Sequence, residues 1–182
     1  MSDFLAETTD LLGRTPEVLR ALLVGLPESW GATADTEGGW RPRDVVGHLI
    51  TAELDNYLAR AQHILDHGTT SPFEPFDRFA FQGRDDEKGL DDLVEWFARL
   101  RRENLARLVE LVGDEDLDRR GLHPALGEVT MRELLATWTV HDLDHISQVF
   151  AGMAGSRDAA VGVWKRYLGI LLRRDDPAAV PG

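Results

Sequence analysis

Apolar residues recur at helical spacing through five long segments of the chain, and this periodicity is the strongest restriction on the fold. No stretch keeps the apolar–polar alternation of a half-buried strand. The sequence therefore predicts an all-α protein in one domain, residues 1–182, built as a four-helix bundle with an additional C-terminal helix. The predicted helices cover residues 4–26, 42–67, 87–112, 130–153 and 157–174.

Local signals mark several helix ends. Pro42 suits the first turn of the second helix, and Gly68 follows its last turn. Thr130 and Glu133 have the spacing of a capping box, in which each side chain accepts a hydrogen bond from the other residue's backbone N–H. The fourth helix is therefore expected to begin beside Thr130.

Two of the connections between the predicted helices are long. Residues 68–86 separate helices two and three, and residues 113–129 separate helices three and four. An extended connection of about 19 residues reaches ~60 Å, whereas a 26-residue helix is only ~39 Å long. The first of these connections can therefore return along the whole bundle, so that helices two and three run parallel.

Charge and composition restrict the partners. The net charge of −12 argues against binding to nucleic acid or to an anionic membrane surface. The chain has no cysteine, so any metal must be held by His, Asp or Glu, and any reacting thiol must come from another molecule. The N-terminus resembles no signal peptide and no apolar run reaches ~20 residues. We expect a soluble cytoplasmic protein that acts on a small molecule.

The fourth predicted helix carries two histidines that can share a metal ion. His141 and His145 are four residues apart, about 40° around the helix, and lie on the stripe that holds Leu134 and Trp138. Both rings therefore face the bundle interior, where a buried imidazole needs polar partners. A metal ion would supply them, and so would ordinary hydrogen bonds.

His63 and His67 have the same spacing, so spacing alone does not identify a metal site. This second pair lies in the last turn before Gly68. A histidine there interacts favourably with the helix dipole, and we interpret the pair as a solvated helix terminus.

A catalytic metal usually takes three protein ligands. The candidates for the third are four histidines and a carboxylate, namely His48, His63, His67, His123 and Glu53. His48 lies ~9 Å into helix two and His145 ~12 Å from the end of helix four, so the two reach one level if these helices are antiparallel. That arrangement requires an up-down-down-up order, and His48 is favoured only on this condition.

Two stretches resemble the DinB/YfiT-like metalloenzyme superfamily. Trp40 followed by His48-Leu49 is similar to the second-helix motif of that family. His141-Asp142-x-x-His145-x-x-Gln148 resembles its HD-x-x-H-x-x-Q signature in the fourth helix. The resemblance spans roughly residues 5–172, so the chain is expected to be a single DinB-like domain.

The resemblance implies an up-down-down-up four-helix bundle with a divalent metal, zinc or nickel, held by His48, His141 and His145. It also implies one of two activities. Some relatives are transferases or isomerases that use a low-molecular-weight thiol such as mycothiol or bacillithiol, and others are metal-dependent hydrolases. We expect the thiol-dependent S-transferase or isomerase first, acting on small electrophilic molecules, and a hydrolase as the alternative. A homodimer is a further expectation from the family.

Polar residues near the pair could orient the metal-bound rings from behind. By angle, Asp142 and Gln148 are the candidates for this role, and Glu53 ranks below Gln148. The competing interpretation is a metal-free, dimeric helical binding module without catalysis, in which the histidines only hydrogen-bond to one another and to nearby carboxylates.

Overall fold

The computed structural model describes residues 3–34 and 36–172. Over this part of the chain it is mainly helical, as predicted, with short 3-10 turns and one small hairpin. The helix predicted to start beside Thr130 does begin there, because the Thr130 hydroxyl accepts a hydrogen bond from the Glu133 N–H at 3.1 Å and Glu133 accepts one from the Thr130 N–H at 2.7 Å. The helices are α1 Asp3–Leu23, α2 Pro42–Asp55, α3 Tyr57–His67, α4 Leu90–Leu111, α5 Met131–Gly155, α6 Asp158–Val161 and α7 Gly169–Leu172.

Contacts at both ends of α2 show that it runs antiparallel to α5. At its start, Pro42 lies against Gly152 near the end of α5. Just beyond its end, the ring of Tyr57 stacks on that of Trp138, with centroids 5.1 Å apart and planes 6° from parallel.

Helix α4 runs parallel to α2 and antiparallel to α1. Arg43 donates a hydrogen bond to the carbonyl of Lys88, while Glu53, further along α2, pairs with Arg101. Late in α1, Arg20 pairs with Glu95 near the start of α4, whereas earlier in α1 the carbonyl of Leu12 accepts a hydrogen bond from Arg101, further along α4. The order is therefore up-down-down-up, as predicted, and the connection from α3 to α4 returns along the bundle to make it possible.

The bundle interior consists of two apolar clusters. One contains Trp138 and Tyr57, and the other contains Phe97 and Leu49. Along α1, α4 and α5, buried polar residues separate the members of the two clusters. They are Thr15 on α1, Arg101 and Asn104 on α4, and Asp142 and His145 on α5.

The second predicted helix, 42–67, is divided in the structure. The backbone of Asn56 has φ −119° and ψ −90°, which lies outside the helical region and separates α2 from α3. Asparagine hydrogen-bonds readily to nearby backbone groups and is a weak helix former, so the break falls at a permissive residue.

The connection before α5 contains a β-hairpin that the sequence analysis did not predict. Strands β1, Arg120–His123, and β2, Gly127–Thr130, pair antiparallel. Each strand has only four residues, too few for a clear alternation. Gly127 has a φ of +80°, which a residue with a side chain rarely adopts. The N–H of Phe73 donates to the carbonyl of Leu122, so the hairpin also anchors the connection after α3.

The predicted C-terminal helix, 157–174, is a series of short pieces instead of one helix. Helix α6 ends at Val161, directly before Gly162, whose φ is +57°, and a 3-10 segment, Gly162–Tyr167, leads to α7. Residues 173 and 174 lie outside the described residues. Within the described part of the chain, none of the helices combines the length and apolar character that crossing a membrane would require.

Two glycines within helices should respond oppositely to alanine. A Cβ at Gly152 would lie 2.7 Å from the carbonyl oxygen of Thr33 and 3.0 Å from Pro42, so G152A should force α5 away from α2 and lower the thermal midpoint. At Gly13 the nearest atom lies at 3.8 Å, in ordinary contact, so G13A should stabilise the protein by up to about 1 kcal/mol through helix propensity. Thermal unfolding of both variants tests this, and a stabilising G152A would contradict the close approach.

Candidate metal centre

Three histidine side chains from α2 and α5 converge on one point. The Nε2 atom of His141 lies 3.1 Å from Nε2 of His48 and 3.0 Å from Nε2 of His145. His48 and His145 are buried, whereas His141 is partly exposed. The antiparallel arrangement of α2 and α5 thus brings the three rings together.

The hydrogen bonds of the Nδ1 atoms of His48 and His145 define the tautomers of these two rings. Nδ1 of His48 lies 3.0 Å from the carbonyl oxygen of Arg78, and Nδ1 of His145 lies 2.7 Å from Oε1 of Gln148. Because these oxygens only accept, each Nδ1 donates a hydrogen. The Nε2 atoms of both rings therefore direct lone pairs toward the shared point. Nδ1 of His141 is buried and has no hydrogen-bond partner among the described residues.

A divalent cation fits this donor set. The single Nε2 of His141 has at most one hydrogen, which cannot satisfy the lone pairs of both neighbours. Zinc–nitrogen bonds of ~2.1 Å in tetrahedral geometry place ligand nitrogens about 3.4 Å apart. The observed separations of 3.0 and 3.1 Å are close to that value. Imidazole nitrogen is also a common ligand of zinc, nickel and copper.

Burial keeps the three imidazoles neutral, which is the form that binds a metal. Desolvation, together with the neighbouring His145, lowers the pKa of His48 to about 4. Desolvation and the two neighbouring rings lower the pKa of His141 to about 2. The pKa of His145 is also lowered by burial, and the hydrogen bond that its Nδ1 donates to Gln148 opposes that change.

Aromatic side chains surround the three rings. Trp40 lies 4.7 Å from His48 between ring centroids, and it stacks on His145 at 5.9 Å. Phe76 makes a T-shaped contact with His48, with ring centroids 5.8 Å apart, and Tyr57 makes one with His141, with centroids 5.3 Å apart. Phe76 belongs to the connection between α3 and α4, as does the Arg78 carbonyl. This connection therefore forms part of the wall of the site.

The two carboxylates that the sequence suggested near the site, Asp142 and Glu53, bond to Arg101 and not to the histidines. Asp142 accepts hydrogen bonds from Arg101 and from the Thr15 hydroxyl. Glu53 accepts from Arg101 and Asn104. Gln148, in contrast, is the acceptor beside His145 described above.

The remaining histidines do not join the cluster. His63 bonds through Nε2 to the carbonyl of Ser71, and Nδ1 of His123 accepts from the backbone N–H groups of residues 125 and 126. His67 is exposed at the end of α3. Within residues 3–34 and 36–172, one group of three or more potential metal-binding side chains lies close enough together to share an ion, and it is the His48 cluster.

The sequence pattern did not lead us to Arg101, the residue that pairs with both Glu53 and Asp142. A signal was present, because Arg101 continues the apolar stripe of α4 four residues after Phe97. A charged residue on a buried stripe requires a buried partner of opposite charge.

An up-down-down-up bundle with three convergent histidines defines a class of helical proteins with a candidate metal centre. The profile of the DinB superfamily matches residues 11–149. The chain therefore belongs to this superfamily, in agreement with the resemblance of its two histidine motifs.

Two relatives connect this chain to proteins described as hydrolases. A protein of Bacillus licheniformis named "Putative metal-dependent hydrolase" is 27% identical over 142 residues, covering 77% of this chain and 80% of the relative. The solved structure of YfiT from Bacillus subtilis, described as "a probable metal-dependent hydrolase with an unusual four-helix bundle topology", superposes with a TM-score of 0.71. That match covers 82% of this chain and 86% of YfiT at 22% identity, and it shows the shared fold.

The lowered histidine pKa values should make the metal-free protein sensitive to acid. The folded-state pKa of His48 is about 4, against 6.5 for a solvated imidazole, so the unfolded chain binds more protons between these values. Stability should be fully present above pH 6.5 and should fall with pH, with His48 alone costing about 2 kcal/mol by pH 5. Urea unfolding of the metal-free protein at pH 7 and pH 5 measures the change. H48Q should reduce this pH dependence, and an unchanged dependence in H48Q would contradict the assignment.

Proposed function

We propose that this protein is a metal-dependent hydrolase in which His48, His141 and His145 hold one divalent ion, zinc or nickel. The convergence of three Nε2 atoms, two of them with lone pairs directed inward, is the observation that carries the proposal. The descriptions of both relatives support hydrolysis as the reaction class.

A divalent ion held by three neutral imidazoles supplies Lewis acidity that activates a water or a thiol near neutral pH. The surrounding residues have separate tasks. The Arg78 carbonyl and Gln148 orient His48 and His145 by accepting their Nδ1 hydrogens. Trp40 and Phe76 exclude water from one side of the site. The substrate is a small molecule, and His141 marks the more open side, since it is the partly exposed member of the three.

A thiol-dependent S-transferase or isomerase would use the same three imidazoles to activate a small external thiol. The resemblance to the family is the ground for this second candidate, whereas both relatives found by comparison are described as hydrolases. The homodimer, the cytoplasmic location and the single domain over residues 1–182 remain predictions.

The metal assignment predicts a sharp difference between two histidine variants. H141A should abolish binding of Zn²⁺ or Ni²⁺, because it removes the central nitrogen of the three. H63A should retain the parent's affinity, because His63 bonds to Ser71 away from the cluster. Elemental analysis of tag-free protein, followed by titration with each ion, provides the measurement. Less than a tenth of an equivalent of metal with no uptake on titration would favour the metal-free binding module.

Turnover with and without thiol separates the two reaction classes. The zinc-loaded protein should hydrolyse activated esters such as p-nitrophenyl acetate without any thiol. H141A, but not H63A, should reduce the rate by at least about 100-fold. The same samples are then assayed on 1-chloro-2,4-dinitrobenzene with mycothiol or bacillithiol. Turnover that appears only with a thiol would contradict the hydrolase proposal and favour the thiol-dependent transferase.

A further inference from the structure

A single arginine connects the two helices that carry the histidines. Arg101, on α4, is almost completely buried, and it pairs with Glu53 on α2 and Asp142 on α5. Glu53 follows His48 by five residues, and Asp142 directly follows His141, three residues before His145. The guanidinium therefore contacts one carboxylate on each of the two helices that carry the three histidines.

The hydrogen bonds of this network are fully matched. Nε of Arg101 donates to Glu53 at 2.9 Å, and Nη2 lies 2.7 Å from the same oxygen. Nη1 and Nη2 donate to the two oxygens of Asp142 at 2.5 and 3.0 Å, and Nη1 also donates to the carbonyl of Leu12 at 2.8 Å. The second oxygen of Glu53 accepts from Asn104 at 2.9 Å, and Asp142 accepts from Thr15 at 2.6 Å.

We propose that Arg101 is a positioning residue for the metal centre. It sets the register of α2 against α5, and so holds His48 opposite His141 and His145. This inference rests on the proposed function, since it assumes that the three histidines bind a divalent ion.

Stability alone gives a weak reason for the network. A buried ion pair must offset the cost of removing its charges from water, and well-packed apolar residues often replace such pairs without loss of stability. An apolar replacement would mainly lack the directional hydrogen bonds that fix one helix at a given position along another. Apolar contacts tolerate small sliding movements of one helix along another, whereas a planar guanidinium with paired hydrogen bonds does not.

The carboxylates lie close to the histidines along the helix axes, so directional bonds to the carboxylates also restrict the positions of the histidines. Glu53 lies ~7.5 Å along the α2 axis from His48, and Asp142 only ~1.5 Å along α5 from His141. A displacement of either carboxylate by 1 Å would therefore move the nearby histidine by a similar amount. Metal ligands must hold their distances to within ~0.2 Å.

The test replaces the ionic network by apolar residues and measures metal binding separately from folding. In the triple variant E53L/R101M/D142L the three charges are removed together, so no buried carboxylate is left unpaired. Thermal unfolding of the metal-free protein reports on the fold. Titration with Co²⁺, followed by its d–d absorption, reports affinity and coordination geometry. We expect an unchanged or higher thermal midpoint, at least tenfold weaker Co²⁺ binding and an altered absorption spectrum.

A matched control separates positioning from general destabilisation. L108A removes a buried apolar side chain from the same helix, α4, in the cluster around Trp138. It should lower the thermal midpoint but leave the Co²⁺ affinity and spectrum of the folded protein as in the parent. Equal weakening of Co²⁺ binding in L108A and in the triple variant would overturn the proposal.

Other outcomes are equally decisive. A folded triple variant with the parent's Co²⁺ affinity and spectrum would show that the network does not position the ligands. If the triple variant does not fold, R101K decides. Lysine keeps the charge but cannot form paired hydrogen bonds to both carboxylates. A parent-like spectrum in R101K would then overturn the proposal. Failure of the parent itself to bind Co²⁺ would contradict the proposed function instead.

Discussion

The antiparallel pairing of α2 and α5 is the constraint on which the candidate site depends. His48 lies six residues after Pro42, and His141 and His145 lie in the middle of α5, so they meet only when the two helices run in opposite directions. In a simple up-down-up-down bundle their levels would differ by roughly 10 Å. The long return of the chain between α3 and α4 is therefore a condition of the site, and the same segment also supplies Phe76 and the carbonyl of Arg78 to its wall.

The position of the polar residues within the bundle gives the second constraint. Two apolar clusters can stabilise the bundle, but they do so without fixing the axial position of the helices. Arg101 and Asp142 lie in the sequence interval between these clusters, at the level where the histidines converge. Apolar packing thus accounts for the existence of the bundle, and directional bonds account for its alignment at the site.

Sequence reasoning identified the features that depend on local pattern. It found the segments that form α1, α4 and α5, the Thr130–Glu133 capping box, and an order of helices that levels His48 with His145, but it predicted one continuous helix over residues 157–174 where the structure has short pieces. It missed the break at Asn56, which one residue's backbone determines, and the hairpin around Gly127, whose strands are too short to show a period. It also missed the partners of Asp142. A helical wheel gives the angle of Asp142 on α5, but Arg101 is 41 residues away in sequence and their contact depends on helix packing.

Different parts of the molecule orient the three histidines. Helical residues orient two of them, whereas the connection between α3 and α4 orients the third. His145 is oriented within its own helix by Gln148, and His141 by packing against Tyr57. His48 alone depends on a backbone carbonyl from the connection between α3 and α4. Sequence changes in that connection can therefore alter the orientation of His48 and the wall beside it without altering the bundle. Two chains with this fold can accordingly share the three histidines and differ in the molecules that reach them, so the shared fold by itself does not specify the substrate.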